Sequence, residues 1–189
     1  MRVRPAERED LDALARLAAV TFPLACPPGS TAQDQQEFID AVLSVERFAE
    51  YLDDPRRDVL VADDVPVAGD VPVAGDVLAA GDLLGYTMLV AGEPADDDVR
   101  AALRLRPTVE LSKCYVHPDH HGAGVANGLM SASLEAARAR GAHGMWLGVN
   151  QQNTRAQAFY VRSGFAVVGT KHFTVGSRVE DDYVLERPL

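Results

Sequence analysis

The sequence predicts a mixed α/β fold, and three observations carry that prediction. Residues Thr108 to Val116 alternate with the two-residue period of a strand. Val125, Leu129, Met130, Leu134 and Ala137 recur at the spacing of one helix face. The elements follow in the order strand, two helices, three strands, helix, strand, helix and closing strands, too irregular for a doubly wound parallel sheet.

Element by element, an opening strand at Arg2 to Arg4 ends at Pro5, and Leu11, Leu14, Ala15, Leu17 and Ala18 mark the first helix. That helix is expected to stop before the turn-rich segment Phe22-Pro23-Leu24-Ala25-Cys26-Pro27-Pro28-Gly29. A second helix is expected to start at Ser30 or Thr31 as N-cap, to bury Phe38, Ile39, Val42, Leu43, Phe48 and Leu52, and to end before Pro55. Asp58 to Ala62 and Leu83 to Ala91 read as paired strands. Between them VPVAGD, VPVAGD and VLAAGD occupy residues 65–70, 71–76 and 77–82. Three such copies bury too little surface to stand as a β-helix, so the stretch reads as a repeat-expanded acidic hairpin loop at about 63–82 within a single domain, 1–189. A second acidic loop, Glu93 to Asp98, follows. After the strand at Thr108 come a helix over Gly122 to Arg140 stopped by Gly141, a strand at Met145 to Val149, a helix over Thr154 to Arg162, and strands at Phe165 to Val168 and Tyr183 to Leu185.

Charge is distributed unevenly. The net charge is -10, and the stretch from Asp58 to Val99 holds ten acidic residues and no Lys, Arg or His, which leaves 18 acids against 18 bases elsewhere. No basic face is available to displace phosphate counterions, so nucleic acid is not an expected partner. No apolar run approaches the roughly 20 residues of a membrane helix, and Glu7, Glu9 and Asp10 sit where a signal peptide would be apolar. The membrane is therefore not an expected partner, and the cytoplasm is the expected address. Cys26 and Cys114 match no metal-ligand spacing and read as reduced thiols.

The strongest local feature is the run Tyr115-Val116-His117-Pro118-Asp119-His120-His121-Gly122-Ala123-Gly124-Val125-Ala126-Asn127. A strand enters a glycine-rich turn that opens a helix, so unpaired backbone amides converge at the positive end of a helix dipole and suit a phosphate or pyrophosphate. Alone, a short Gly-x-Gly could equally be a capping turn. No Gly-Lys-Ser/Thr follows it, and the three-glycine dinucleotide fingerprint is incomplete. His117, His120 and His121 lack a carboxylate or Cys at ligand spacing, and no metal is expected.

In these residues the sequence resembles the GNAT superfamily of acyl-CoA-dependent N-acetyltransferases. His121-Gly122-Ala123-Gly124-Val125-Ala126 matches the family's Gln/Arg-x-x-Gly-x-Gly/Ala fingerprint at its last two fixed positions, with His121 where Gln or Arg is usual. A second block follows: Trp146-Leu147-Gly148-Val149, Asn153, Ala156, Phe159-Tyr160 and Gly164-Phe165. The resemblance spans at least residues 108 to 169. It implies a central, mostly antiparallel sheet flanked by helices, with splayed central strands that form a cleft for acetyl-CoA. The backbone at Tyr115 and Val116 would pair with the pantetheine arm, and the turn from His121 through Gly122, Ala123, Gly124, Val125 and Ala126 to Asn127 would hold the pyrophosphate. Asn153 matches a cofactor-bonding position and is equally a good N-cap. Tyr160 matches the tyrosine that protonates the departing thiolate; a core aromatic is the plainer reading. Glu110 is the expected base that draws a proton from the amine, or else a strand residue paired with Lys113 or an arginine.

The activity implied is transfer of an acetyl group from acetyl-CoA to a primary amine by direct attack on the thioester. A non-catalytic acyl-CoA-binding module is the alternative. The expected acceptor is a small molecule ahead of a protein, held near the apolar segment at Phe22 and Leu24, and a homodimer is among the expected assemblies, as in many members of the family.

Overall fold

A computed structural model describes residues 1–27, 29–64, 83–175 and 178–189. The repeat at 65–82 and Pro28 lie outside the described residues. Strands β1 (Arg2–Pro5), β2 (Arg57–Asp63), β3 (Leu83–Ala91), β4 (Thr108–Val116), β5 (Gly144–Asn150), β6 (Ala166–Val175) and β7 (Arg178–Pro188) form one seven-stranded sheet in the order β1-β2-β3-β4-β5-β7-β6. Every pairing is antiparallel except β4 with β5. The expected mostly antiparallel sheet is the one observed.

Helices α1 (Leu11–Ala25), α2 (Ala32–Val42) and α3 (Val45–Asp53) cover one face. Leu14, Leu17, Ala18 and Phe22 of α1, spaced three and four apart, pack with Phe48, Val61, Tyr86 and Met88. Helices α5 (Val125–Ala139) and α6 (Thr154–Arg162) cover the other. Met130, Leu134 and Ala137 of α5 meet Leu111, Met145, Leu147 and Leu185 there, while its Val125 and Leu129 meet Leu60, Ala62 and Leu84.

Three sequence expectations are corrected. Helix α1 does not stop before Phe22 but runs through Pro23 to Ala25. Proline in the last turn removes a single intrahelical donor, and Cys26 closes the end with its amide on the Pro23 carbonyl. The single second helix is two: Leu43 leaves helical geometry at φ -124, and Ser44 caps a new helix by accepting from the Arg47 amide. The acidic loop at Glu93 to Asp98 feeds a short helix, α4 (Asp97–Ala102), capped by Asp96 through the amides of Asp98 and Val99. Its acids thus sit at the positive end of a helix dipole.

Helix α5 is tied at both ends of its packing stripe. Leu129 is fully buried against the sheet, and Arg140, just past the C-terminus, donates to both carboxylate oxygens of Asp58 and to the Pro55 carbonyl. Leu129→Ala is expected to cost about 2–5 kcal/mol through lost burial and the cavity left behind. A fall in the urea midpoint at unchanged slope checks it.

Candidate active site

The site begins where two strands part. Strands β4 and β5 pair in parallel only through Thr108↔Gly144, Val109↔Met145 and Glu110↔Trp146, although β4 runs on to Val116 and β5 to Asn150. Beyond Glu110 the strands diverge, and a cavity of about 260 Å³ opens there. On its other edge β4 keeps its ladder to β3 but skips one residue, since Leu89 faces Leu111 and Met88 faces Lys113. Ser112 is therefore a β-bulge, which resets the alternation of side chains. Leu111 and Cys114, three apart, both pack on the α5 side, and Tyr115 packs on the α1 side. Glu110 and Lys113 thus share a face, with the bulge between them.

Burial governs the charges in this cavity. Desolvation pushes the Glu110 carboxyl above its ordinary range, opposed by the positive charges of Lys171, Lys113 and Arg57. Desolvation also brings the Lys113 ammonium down to about 8, with Glu110 working against the shift and Arg57 with it. Lys113 and Arg57 lie over the same ring, with Nζ 5.6 Å and the guanidinium carbon 4.7 Å from the Tyr51 centroid. Across the gap, Lys171 of β6 and Asp182 of β7 stand opposite each other in the sheet and also line the cavity. Both reach over Gly148 of β5: a Cβ there would sit 2.5 Å from Lys171 Cε and 3.2 Å from Asp182 Oδ2. A side chain at position 148 would push the lysine away from Glu110.

Tyr160, on α6, lines the same cavity. Its ring meets Phe159 and Phe165 edge-on at 5.4 and 6.0 Å, and its hydroxyl interacts electrostatically with the Cys114 thiol. Burial raises the phenol well above its ordinary pKa, so it stays protonated at neutral pH. Burial also pushes the Cys114 thiol up to about 12, which leaves it a thiol rather than a nucleophilic thiolate. Asn153 caps α6 by accepting from the Ala156 amide at 3.0 Å and borders the cavity as well. The N-cap reading of Asn153 holds.

At the start of α5 the turn has the geometry that an anion needs. Gly122 and Gly124 sit at φ +86 and +84, with nothing within 4 Å of where a Cβ would stand. Gly124 occupies the N-cap position without a capping side chain, so the amides of Val125, Ala126 and Asn127 have no intrahelical acceptor and face outward. Ala123 donates its amide to His120 within the turn. The His121 ring turns back, its Nε2 3.0 Å from the Val116 carbonyl, so it braces the turn against the end of β4.

Comparison with known proteins follows this geometry. The description "Acetyltransferase (GNAT) family" matches residues 34–165. An uncharacterized N-acetyltransferase of Mycobacterium tuberculosis is 44% identical over 180 residues, 95% of this chain and 98% of that protein. The chain belongs to the GNAT family of acetyltransferases. It is an N-acetyltransferase, and acetyl-CoA is its acyl donor. The L-amino acid N-acyltransferase MnaT of Escherichia coli is 38% identical over 89 residues, 44% of this chain and 51% of that protein. The PaiA N-acetyltransferase of Thermoplasma acidophilum, solved with coenzyme A, shares the fold at a TM-score of 0.70 and 17% identity, over 100% of this chain and 98% of that one.

Within this GNAT chain, the cavity brings together Glu110, Tyr115, Asn153, Tyr160 and Phe22 from the residues picked out in sequence. Leu24 is a correction. Because α1 continues through it, Phe22, Ala25 and Cys26 share the inward face while Leu24 turns outward and is 64% exposed. Phe22 instead stacks on Phe38, with centroids 4.4 Å apart, as the apolar end of the cavity. The sequence names Lys113 only as a pairing partner for Glu110, and it does not place Lys171 or Asp182 at the site. The signal was present: the chain has 16 arginines and just two lysines, Lys113 and Lys171, and both line the cavity. Gly124→Ala is expected to lower CoA affinity on the order of tenfold, since a Cβ at positive φ costs about 1–2 kcal/mol and shifts the amides. Calorimetric titration with CoA checks it.

Proposed function

We propose that acetyl transfer runs through the gap between β4 and β5, with Glu110 as the base that deprotonates the acceptor amine, Tyr160 as the acid that protonates the departing CoA sulfur, and a small amino acid-like amine as acceptor. The carrying observation is that one cavity, opened by the divergence of the two strands, is lined by Glu110 from β4 and Tyr160 from α6 together. The open edges of β4 and β5 offer backbone partners to the pantetheine amides, and the exposed amides from Gly122 to Asn127 suit the pyrophosphate.

The chemistry follows from which forms burial favours. Amine attack on a thioester needs a neutral amine held against the carbonyl, an acceptor for its proton, and a donor for the sulfur. Glu110 is shifted toward the affinity a base needs near neutrality, and Tyr160 keeps its proton until the thiolate forms. Pocket charge selects the acceptor. Glu110 and Asp182 offer two negative charges, Lys113 and Lys171 two positive ones, and the opposite end is the apolar stack of Phe22 and Phe38. An amine that carries its own carboxylate meets partners for both charges, whereas a polyamine meets two ammonium groups. About 260 Å³ suits a small molecule, and the relative named for L-amino acids points the same way.

A panel of amino acids, their methyl esters and polyamines, read by release of free CoA thiol, tests the acceptor class. Turnover on free amino acids above their esters is expected, and turnover on polyamines alone would overturn the class. Tyr160→Phe is expected to lower kcat about 10²- to 10⁴-fold with little change in CoA affinity. Because Glu110 acts ionised, kcat/KM falls as pH drops through its raised pKa. Lys171→Met removes the first of the charges that favour the ionised form, so the acid limb of the profile moves to higher pH.

A further inference from the structure

We propose that Lys113 is itself an acetyl acceptor, modified in cis by bound acetyl-CoA when no acceptor amine occupies the cavity. The proposal rests on the reading of the β4–β5 gap as the donor site and goes beyond it, to a covalent modification site inside the cavity.

Its first support is residue usage. Most of the ion pairs among the described residues use arginine, those of Arg2 and Arg4 with Asp63, Arg8 with Asp53, Arg47 with Glu50 and Arg140 with Asp58 among them. Arginine stays charged in any protein setting, whereas lysine releases its proton when desolvated and then becomes a nucleophile. Both lysines of the chain lie in the cavity where a thioester is handled. The second support is placement. Lys113 follows the bulge at Ser112, on the face that carries Glu110, and directly precedes Cys114, which interacts with Tyr160. The amine and the proposed base thereby share one face of β4, and the proposed acid lines the same cavity from the other face. The third is protonation state. The groups around Lys113 are Glu110 on its own strand, Arg57 on β2 and the Tyr51 ring on α3, with Lys171 of β6 and Asp182 of β7 in the same cavity. Burial and Arg57 outweigh Glu110, which leaves a substantial share of neutral amine at mildly alkaline pH.

In the step, the neutral Nζ attacks the thioester carbonyl carbon, an N–C bond forms and the C–S bond breaks. Glu110 takes the proton that nitrogen loses, and Tyr160 supplies one to sulfur, so lysine and acetyl-CoA become acetyl-lysine and CoA. The product amide is neutral and bulkier. It withdraws one cation from Glu110 and narrows the space in which an amino acid would sit, so an enzyme left with donor and no acceptor would switch itself off.

The test is intact mass and peptide mapping of the full chain incubated with acetyl-CoA alone, alongside calorimetric CoA binding and a urea-unfolded control. The expected result is one acetyl group per chain on Lys113, formed on the order of a hundredfold faster than in the unfolded control because the reactants are held together. Its rate should rise with pH toward a plateau above about 8 and be slowed in Tyr160→Phe. The mapping is done on the wild-type chain, so it does not depend on Lys113→Arg folding. CoA binding with no acetyl on Lys113, or acetyl on Lys171 or the Met1 amine in its place, overturns the proposal and leaves the donor site standing. Failure to bind CoA overturns the donor site itself.

Discussion

Everything at this site depends on a parallel pairing that ends early. Strands β4 and β5 are registered from Thr108 to Glu110 against Gly144 to Trp146 and then separate, while each stays bonded on its outer side, β4 to β3 and β5 to β7. The outer ladders fix the two strands, so the inner edges cannot drift back together. They leave backbone donors and acceptors facing a gap at the centre of the sheet, where an unpaired group is costly. An extended ligand that carries amides of its own meets those edges as a third strand would. The bulge at Ser112 then decides what the gap presents. Without it Glu110 and Ser112 would share a face; with it Glu110 and Lys113 do, and Cys114 turns to the opposite side, where it packs in one cluster with Tyr160.

A second constraint acts on top of that geometry. Helices α1 to α3 on one side and α5 and α6 on the other flank the gap, and desolvation acts in one direction on four of the titratable groups that line it. The carboxyl of Glu110, the phenol of Tyr160 and the thiol of Cys114 are raised, and the ammonium of Lys113 is lowered. All four shifts favour neutral forms. One cause therefore acts on the proposed base, the proposed acid and the proposed acceptor amine alike, without a dedicated partner for each.

Much of this was legible in the sequence. Strands at Leu83 to Ala91 and Thr108 to Val116 and the helix at Thr154 to Arg162 have the predicted bounds, because a half-buried strand and an amphipathic helix write their period into the chain. The turn from Gly122 to Asn127 was legible for a related reason, since positive φ at two places demands glycine. What failed depended on tertiary context. Pro23 lies at the end of α1, where the lost hydrogen bond matters little, and its inclusion changes the face on which Leu24 falls. Nothing in the periodicity of Phe38 to Leu52 marks the break at Ser44, because both helices bury residues against the same side of the sheet. Lys171 and Asp182 come from the far hairpin and reach the site across Gly148, a contact between positions that no local pattern connects.

The net charge of -10 invites the idea of a polycationic acceptor, and the cavity argues against it. Coulomb energy near a binding site is dominated by groups within a few ångströms, since more distant exposed charges are screened over about 8–10 Å. At that range, among the described residues, the balance is two carboxylates, Glu110 and Asp182, against two lysines, with Arg57 acting on both Glu110 and Lys113. The bulk excess lies elsewhere in the chain, between Asp58 and Val99, and part of it is already engaged: Asp58 holds Arg140, Asp63 holds Arg2 and Arg4, and Asp96 caps α4. These acids hold the scaffold, and in the proposed reading acceptor preference is set by the few charges that face the gap between β4 and β5.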